Sequence, residues 1–327
     1  MKIFITGGDG LLGSNLVRVL LDRGHELRIL VQPGRKANTL DGLKLDKVEG
    51  DLLNFDSLKL AAGDVDAIYH LAASTSIWPS RSEIVNKVNI EGTRNILRLA
   101  KELNVRRLIY VGTANTFSFG TKENPGIEDT EYSGAQYGLD YMDSKWKAYK
   151  LVMQAVKEGM PALVVNPTFM LGPFDSAPSS GAMILAIYSQ KLPGYAPGGR
   201  NYICAKDAAK GIANALDHGK IGESYIIGNE NLSYKEAFEK IAKELGVNSP
   251  KRRIPKWVLL AYGGIGSFLA KLTGKKPTVT LPMAKIACDG HYFSAEKAVN
   301  ELNLPQSPIE EGIREGFDWL KSNGYIK

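Results

Sequence analysis

The sequence predicts an α/β protein in which a doubly wound parallel sheet is followed by a smaller, mostly helical C-terminal lobe. In residues 1–14, MKIFITGGDGLLGS, a short apolar run leads into three glycines spaced three apart and then into a helical apolar pattern. Strand-like and helix-like segments then alternate, with short connections, as far as Pro167. This alternation is typical of parallel strands joined by right-handed helical crossovers.

The individual elements follow from apolar runs and from the turn residues that bound them. Strands are expected at residues 2–6, 26–31, 43–49, 67–70, 107–111, 162–165 and 224–227. Helices are expected between the glycine turn and Gly24, around 57–60, and at 84–104, 141–157, 207–218, 234–245, 295–302 and 308–323. We therefore predict a first domain of residues 1–168, which 203–229 rejoins, and a second lobe of residues 169–202 and 230–327.

Composition narrows the class of protein. The net charge of +6 is modest and no run of five or more basic residues occurs, which argues against a dedicated nucleic-acid-binding protein. Cys204 and Cys288 lie too far apart for a metal-binding spacing, so no metal site is expected and a reducing compartment is favoured. We find no signal peptide and no apolar run of about 18 residues, the length a membrane span needs. A cytoplasmic protein without a stable membrane span is expected.

One apolar segment allows two interpretations. Residues 257–272, WVLLAYGGIGSFLAKL, contain three glycines and follow the basic sequence KRRIPK at 251–256. The first interpretation is one or two buried helices in the second lobe. The second is a surface that contacts a membrane or an apolar substrate. They differ in whether the large side chains are buried.

The glycine turn predicts a dinucleotide site. A strand, a glycine-rich turn and a helix N-terminus together offer backbone N–H groups to a pyrophosphate. Gly7 permits the tight turn, Gly10 lets a phosphate approach the backbone, and Gly13 lets the helix pack on the strand. On this interpretation residues 1–168 bind NAD(P) and the second lobe binds the substrate.

The end of the second strand bears on the choice of cofactor. An acidic residue there binds both ribose hydroxyls of NAD and repels the extra phosphate of NADP. The chain has Gln32 at this position, with Arg35 and Lys36 just beyond, so NADP(H) is favoured over NAD(H). Asp9, inside the glycine turn, weakens this argument, and the two basic residues could equally form a solvated loop face.

Tyr141 and Lys145 are candidate catalytic residues. Positions i and i+4 share one face of a helix, so the phenol and the ammonium should point the same way. A nearby ammonium lowers the pKa of a tyrosine from its usual value of about 10. Such a tyrosine can exchange a proton with a secondary alcohol near neutral pH.

These motifs, in this order, resemble the extended short-chain dehydrogenase/reductase family, whose fold is the Rossmann fold. The resemblance covers nearly the whole chain and is clearest through Asp207. It is carried by TGGDGLLG at 6–13, Asp51-Leu52, DAIYHLAA at 66–73, the Asn89, Gly92, Thr93 and Asn95 set, and the Tyr141/Lys145 pair.

The resemblance implies which residues contact the cofactor. Asp51 and Leu52 would border the adenine, residues 71–73 would lie along the cofactor, and Asn89 would tie the helix or a proton relay near Lys145. The expected set is Gly7, Gly10, Leu11, Leu12, Gly13, Gln32, Arg35, Lys36, Asp51, Leu52, Leu71, Ala72, Ala73, Asn89, Tyr141, Lys145, Pro167 and Thr168.

The family also has a catalytic hydroxyl after the fifth strand, usually a serine. Aligning VRRLIYVGTA with the family pattern places Thr113 there, where it would bind the substrate oxygen and orient it toward Tyr141. Thr116 and Ser118, on the same loop, are alternatives. The implied catalytic set is therefore Thr113, Tyr141 and Lys145.

Two further segments bear on the subgroup. VNPT at 165–168 and LGP at 171–173 resemble the branch that contains dihydroflavonol-reductase-like and 3β-hydroxysteroid-dehydrogenase-like proteins, in which Pro167 and Thr168 would face the nicotinamide. Ala114-Asn115 stands where sugar dehydratases need an Asp-Glu pair, so a dehydratase is not expected. Asn115, Phe169 and Met170 are candidate substrate-binding residues. A wider apolar wall is expected from Phe117, Phe119, Tyr137, Phe169, Met170, Phe174, Ile184 and Tyr188.

The resemblance implies hydride transfer between NAD(P)(H) and a carbonyl or secondary alcohol of a small, fairly hydrophobic substrate. Arg200 could meet a diphosphate or a carboxylate and leaves the substrate class open. Two alternatives remain: an NAD-dependent sugar-nucleotide epimerase, or a non-catalytic protein that senses the cofactor. A monomer, or a homodimer packed through the helices at 84–104 and 141–157, is also implied.

Overall fold

A computed structural model describes residues 1–326, and its centre is a parallel sheet. Seven strands form this sheet: β1 (Lys2–Thr6), β2 (Glu26–Val31), β3 (Asp46–Glu49), β4 (Ala67–His70), β5 (Arg107–Val111), β6 (Ala162–Pro167) and β9 (Ser224–Ile227). Their spatial order is β3-β2-β1-β4-β5-β6-β9, and every neighbouring pair is parallel. The predicted doubly wound sheet is confirmed.

Helices cover both faces of the sheet because successive strand residues point to opposite sides. Ile3 and Ile5 of β1 pack into one core with α1 (Leu11–Asp22) and α7 (Ala205–Asn214). Phe4 packs into the other core, beneath α2 (Phe55–Ala62), α4 (Gly92–Glu102) and α5 (Asp140–Lys157). The fully apolar strands of the sequence are thus buried on both faces.

The second lobe combines helices with a small sheet that was not predicted. Its strands are β7 (Phe169–Leu171), β8 (Gly199–Cys204), β10 (Glu230–Ser233) and β11 (Gly290–His291). Its helices are α6 (Gly181–Tyr188), α8 (Tyr234–Leu245), α9 (Lys256–Thr273), α10 (Leu281–Cys288) and α12 (Ile309–Ser322). Strand β8 pairs with each of the other three and so organises the lobe.

Several elements differ from their predicted bounds. Strand β3 begins at Asp46 rather than at residue 43. The helix predicted at 84–104 is interrupted by a π-helical turn, Lys87–Glu91, between α3 (Glu83–Asn86) and α4. Helix α11 (Glu296–Leu302) lies in the range assigned to the second lobe, yet its Ala298 and Leu302 pack into the core beneath α1 and α7. The division into domains remains a prediction.

The interpretation of residues 257–272 as buried helices is wrong. They form one helix, α9, whose buried residues are Gly263 and Ala270. Six of its large apolar side chains are exposed, while Val258, Leu259 and Leu260 in its first turns are half-buried. Within residues 1–326, no helix is both long and apolar enough to cross a membrane.

The glycine turn allows a direct test of packing. A Cβ at Gly13 would lie 2.1 Å from the Gly7 carbonyl oxygen, whereas a Cβ at Gly264, also in a helix, would meet nothing within 4 Å. Gly13→Ala should therefore lower the free energy of unfolding by about 1–3 kcal/mol, the usual cost of overpacking. Gly264→Ala should leave it unchanged or raise it by up to about 1 kcal/mol. Urea denaturation of both variants checks this, and equal effects would contradict the packing described.

Candidate active site

The glycine turn forms a backbone cradle at the carboxyl edge of the sheet. Gly7 has a φ of +73°, and a Cβ there would lie 2.7 Å from the Ala72 nitrogen. A Cβ at Gly10 would meet only the Gly7 carbonyl oxygen, at 3.7 Å. No side chain caps the N-terminus of α1, which begins with Leu11 and Leu12. The turn therefore fits an anionic phosphate group, and the binding role of these residues stays a prediction.

The loop after β2 carries the residues predicted to select the cofactor. Gln32, Arg35 and Lys36 are exposed. The Arg35 Nε lies 2.6 Å from an Asp9 carboxylate oxygen. This ion pair keeps the Arg35 guanidinium next to the glycine turn. Asp9 is thereby paired with a cation.

The Asp51-Leu52 segment is tied to the helix that carries the remaining family motif. Asn95 donates a side-chain hydrogen bond to the Leu52 carbonyl at 2.9 Å. A Cβ at Gly92 would lie 2.6 Å from the Leu52 side chain, so only glycine lets this loop pack so closely. The Asp51 carboxylate accepts from the Leu53 N–H at 2.9 Å.

Asn89 braces the site from within the π-helical turn. Its amide donates to the Ser74 carbonyl at 3.0 Å and to the Ser144 hydroxyl at 2.9 Å, and its oxygen accepts from the Ser74 N–H at 2.7 Å. Both amide hydrogens are thus donated to protein groups. This arrangement favours a bracing role for Asn89 beside Lys145 over direct contact with a cofactor.

Of the three candidate hydroxyls after β5, Thr113 is the one beside Tyr141. Thr113 is buried, and its hydrogen bond to the Tyr141 phenol partly offsets the rise that burial causes in the Tyr141 pKa. Thr116 donates to the Thr113 carbonyl at 2.7 Å, and Ser118 donates to the Glu131 carbonyl. The geometry therefore favours Thr113 over the other two.

The electrostatics of Tyr141 differ from the prediction. Burial raises the pKa of Tyr141, and the groups that oppose this rise are Thr113 and Arg200, not Lys145. The Lys145 Nζ instead donates to the Val111 carbonyl at 2.7 Å, at the end of β5. The expectation that Lys145 depresses the Tyr141 pKa is wrong in this structure, because the Lys145 Nζ is directed toward the sheet edge and burial favours its neutral amine.

The C-terminal lobe supplies groups to this site that the sequence did not predict. His291 of β11 lies with its Nδ1 3.2 Å from the Asn115 amide oxygen and its Nε2 3.2 Å from the Tyr137 hydroxyl. That hydroxyl donates its one hydrogen to the Asp289 carboxylate, at 2.8 Å. Burial lowers the pKa of His291 to about 3, so the imidazole is neutral near pH 7. Asn115, a predicted substrate residue, is thus held by the second lobe.

Arg200 is a half-buried cation whose charge acts on Tyr141. Its Nε donates to the Tyr234 hydroxyl at 2.8 Å, and its guanidinium carbon lies 5.0 Å from the centroid of the Phe169 ring. Among residues 1–326, no carboxylate forms a salt bridge with Arg200, and its two terminal nitrogens donate to no protein acceptor. An anionic ligand would satisfy this half-buried charge.

The predicted strand-end residues lie on different faces of β7. Thr168 joins β6 to β7 and donates from its backbone and its hydroxyl to the Ile227 carbonyl. Phe169 faces Arg200, whereas Met170 packs against the core beneath α1. Pro167 ends β6. Phe169 therefore lies beside the candidate substrate region and Met170 does not.

The wider apolar wall is only partly formed as predicted. Phe119 and Tyr137 lie against His291, at ring-centroid distances of 4.3 and 5.6 Å. The other predicted members lie elsewhere: Phe117 and Ile184 are in the core, Phe174 stacks beneath Arg18, and Tyr188 is a surface residue beside Phe317. Helical and strand periodicity in the sequence cannot distinguish apolar side chains that line the substrate region from those buried in the protein core.

Comparison with known proteins establishes the family. A model of the NAD dependent epimerase/dehydratase family matches residues 3–228. The chain belongs to this family, as the resemblance indicated. It is an NAD(P)-dependent oxidoreductase of the extended short-chain dehydrogenase/reductase type.

Three similar proteins show the range of the likeness. A Synechocystis sp. protein, provisionally named dihydroflavonol 4-reductase, is 32% identical over 99% of this chain and 96% of its own. A Stenotrophomonas maltophilia protein named 2-alkyl-3-oxoalkanoate reductase is 27% identical over 96% of this chain and 98% of its own. The solved structure of gox2253 superimposes with a TM-score of 0.88 at 32% identity, covering 100% of this chain and 99% of that one.

Lys145 gives the site a testable pH dependence. Burial lowers the pKa of Lys145 from 10.5 to about 7. Between these values the unfolded chain binds a proton that the folded chain does not, so this lysine makes stability rise with pH. The free energy of unfolding of the natural chain, minus that of Lys145→Met, should therefore increase by a few kcal/mol from pH 7 to pH 10. Below pH 7 this difference should level off.

The measurement is urea denaturation across that pH range. Lys157→Met, which removes an exposed lysine from the end of the same helix, is the matched control and should give a flat difference. A flat difference for Lys145→Met as well would show that Lys145 is charged in the folded chain throughout this range.

Proposed function

We propose that this protein reduces a ketone or aldehyde with NADPH, using Tyr141 as the proton donor. The observation that carries the proposal is the convergence of Thr113, Tyr141 and Lys145 at the edge of the sheet beside the glycine cradle. A bound nicotinamide would supply the hydride. Thr113 then holds the carbonyl oxygen, and Tyr141 donates its proton to the alkoxide that forms.

The local electrostatics suit that direction of proton transfer. Burial keeps the Tyr141 phenol protonated near neutral pH, which is the state a proton donor needs. Negative charge grows on the substrate oxygen as the carbonyl is reduced. The Thr113 hydroxyl and the nearby Arg200 charge both stabilise a phenolate at Tyr141. They therefore stabilise the product of proton transfer from Tyr141 to the substrate.

The substrate proposed here is an apolar ketone that carries an anionic group. An aromatic lining is provided by Phe119, Tyr137 and Phe169. Arg200 provides a half-buried cation that no protein carboxylate pairs with. The name of the Stenotrophomonas relative describes a ketone on an alkanoate, which has this combination.

NADPH is proposed over NADH because of the loop after β2. Gln32 places no carboxylate at the ribose position, and the Asp9 contact fixes Arg35 next to the glycine turn. Arg35 and the exposed Lys36 are then available to an additional phosphate. The proposed cofactor and substrate each use a cation held in place by the fold.

The catalytic proposal is tested by removing one hydroxyl group. Tyr141→Phe should lower kcat for ketone reduction by about 10²- to 10⁴-fold, because the proton donor is lost. NADPH affinity, measured by fluorescence titration, should change by less than about twofold. Tyr149→Phe, in the same helix but with its hydroxyl bonded to Ser224, is the control and should keep full activity. Full activity of Tyr141→Phe would refute the proposal.

The cofactor proposal is tested in a background that avoids an unpaired charge. Removing Arg35 alone would leave the Asp9 carboxylate in the glycine turn and weaken both cofactors, so Asp9→Asn is compared with Asp9→Asn/Arg35→Ala. The loss of Arg35 should weaken NADPH binding by about tenfold and leave NADH binding nearly unchanged. Equal losses for both cofactors would contradict the role given to Arg35.

A further inference from the structure

Helix α9 exposes large apolar side chains along one face. Trp257, Ala261, Ile265, Phe268 and Leu272 recur at helical spacing and lie on its solvent side, flanked by Tyr262 and Leu269. We call these residues the α9 outer face. Its six large side chains are each 51% to 73% exposed. Other exposed large apolar residues in the described part of the chain are scattered singly over the surface.

The inner face of α9 carries small residues instead. A Cβ at Gly263 would lie 2.8 Å from the Ala284 side chain of α10, and a Cβ at Gly266 would lie 2.5 Å from the Val279 carbonyl oxygen. Ala270 completes this inner stripe and is buried. A helix on the surface of a water-soluble domain normally buries its large apolar residues. This helix does the reverse, and its close packing on α10 holds the large residues outward.

The surroundings of the α9 outer face are strongly basic. From residue 245 to residue 288 the chain has no Asp or Glu, although it has 35 of them in all. The same stretch holds eight of the 41 basic residues, all of them exposed, so the rest of the chain is slightly acidic. These eight are Lys251, Arg252, Arg253, Lys256, Lys271, Lys275, Lys276 and Lys285. Within residues 1–326, only Lys256 among them has a carboxylate nearby, Asp289 at 3.9 Å.

We propose that the α9 outer face binds the surface of an anionic lipid bilayer. An apolar helix face with aromatic residues, bordered by lysines and arginines, matches a bilayer in which acyl chains lie beneath negatively charged headgroups. The helix lies in the interface and does not span the membrane, which is consistent with its 18 residues and its glycines. This activity is separate from the proposed reductase chemistry and can fail without it.

Charge decides between a bilayer and a second copy of the chain. Two copies packed face to face through α9 would bring the same unpaired cations together at both ends of the helix. Like charges at such short range oppose association, whereas anionic headgroups neutralise each of them. Arg253 and Lys256 also line a pocket of about 480 Å³ at the start of the helix, which suits a phosphate headgroup.

The face is connected to the candidate active site through α10. Ile286 of α10 packs in the same apolar cluster as Tyr137 and Tyr141. Helix α10 therefore contacts both α9 and this cluster.

Vesicle sedimentation of the whole protein tests the proposal. The chain should sediment with vesicles of equal parts phosphatidylcholine and phosphatidylglycerol, and about tenfold less with phosphatidylcholine alone. Phe268→Ser/Leu272→Ser should reduce binding to the anionic vesicles by about tenfold, because it removes buried apolar surface. Lys275→Glu/Lys276→Glu should reduce binding to the anionic vesicles by a similar factor, because it replaces two cations with anions that the headgroups repel.

Matched control variants distinguish binding through the α9 outer face from nonspecific adsorption to vesicles. Leu60→Ser removes an isolated side chain that is 85% exposed, and Lys101→Glu reverses a distant charge; neither should alter vesicle binding. The fluorescence of the natural chain should shift to shorter wavelength on vesicles, and Trp257→Phe should abolish that shift. Circular dichroism and thermal unfolding confirm that each variant is folded.

Three outcomes would overturn the proposal. The first is no binding to anionic vesicles, and the second is binding that the α9 variants leave unchanged. The third is concentration-dependent dimerisation, seen by sedimentation velocity and abolished by Phe268→Ser/Leu272→Ser, in a chain that does not bind vesicles. That result would assign the face to a second copy.

Discussion

The parallel direction of β1, β4, β5 and β6 is the constraint on which the site depends. Because their carboxyl ends meet at one edge, the glycine turn after β1, the loop after β4 and Thr113 after β5 lie side by side. The close contact between Gly7 and Ala72 fixes two of these loops against each other. Helix α5 then brings Tyr141 and Lys145 to the same edge, where Lys145 donates to the end of β5.

Two basic side chains give this edge its chemical character. Lys145 is buried and Arg200 is half-buried, and neither forms a salt bridge with a carboxylate among residues 1–326. Burying a charge without a counter-ion is costly, which is why the pKa of Lys145 falls to about 7. Such positions are typical of sites that hold a negative or strongly polarised ligand. The fold thus offers positive charge to the ligand while Tyr137, Phe119 and Phe169 keep the surroundings apolar.

The first domain was predictable because its signals are local. Strands β1, β2, β4, β5 and β9 have the predicted bounds, since each is an apolar run between clear turn residues. The glycine turn and the Tyr141/Lys145 pair are likewise short-range patterns. Strand β3 was overextended because its preceding loop contains Leu43 and Leu45, which pack against the core without joining the sheet.

The second lobe and half of the candidate site were not predictable in this way. Strand β11 has two residues, and it pairs with β8 across about 90 positions of sequence. No local pattern marks His291 or Asp289 as neighbours of Asn115 and Tyr137. The exposure of the large α9 side chains, however, could have been predicted from the sequence. Gly263, Gly266 and Ala270 fall on one helix face, which implies that the large residues fall on the other.

The central claim is net hydride transfer from the cofactor to a substrate carbonyl. The most direct measurement incubates the protein with an apolar keto acid and with NADPH deuterated at the transferred position, followed by mass spectrometry of the product. We expect an alcohol that carries one deuterium and is formed in equal amount to the oxidised cofactor. A substrate that is converted with no net oxidation of cofactor, or an alcohol without deuterium, would contradict it and would favour an epimerase that retains its cofactor.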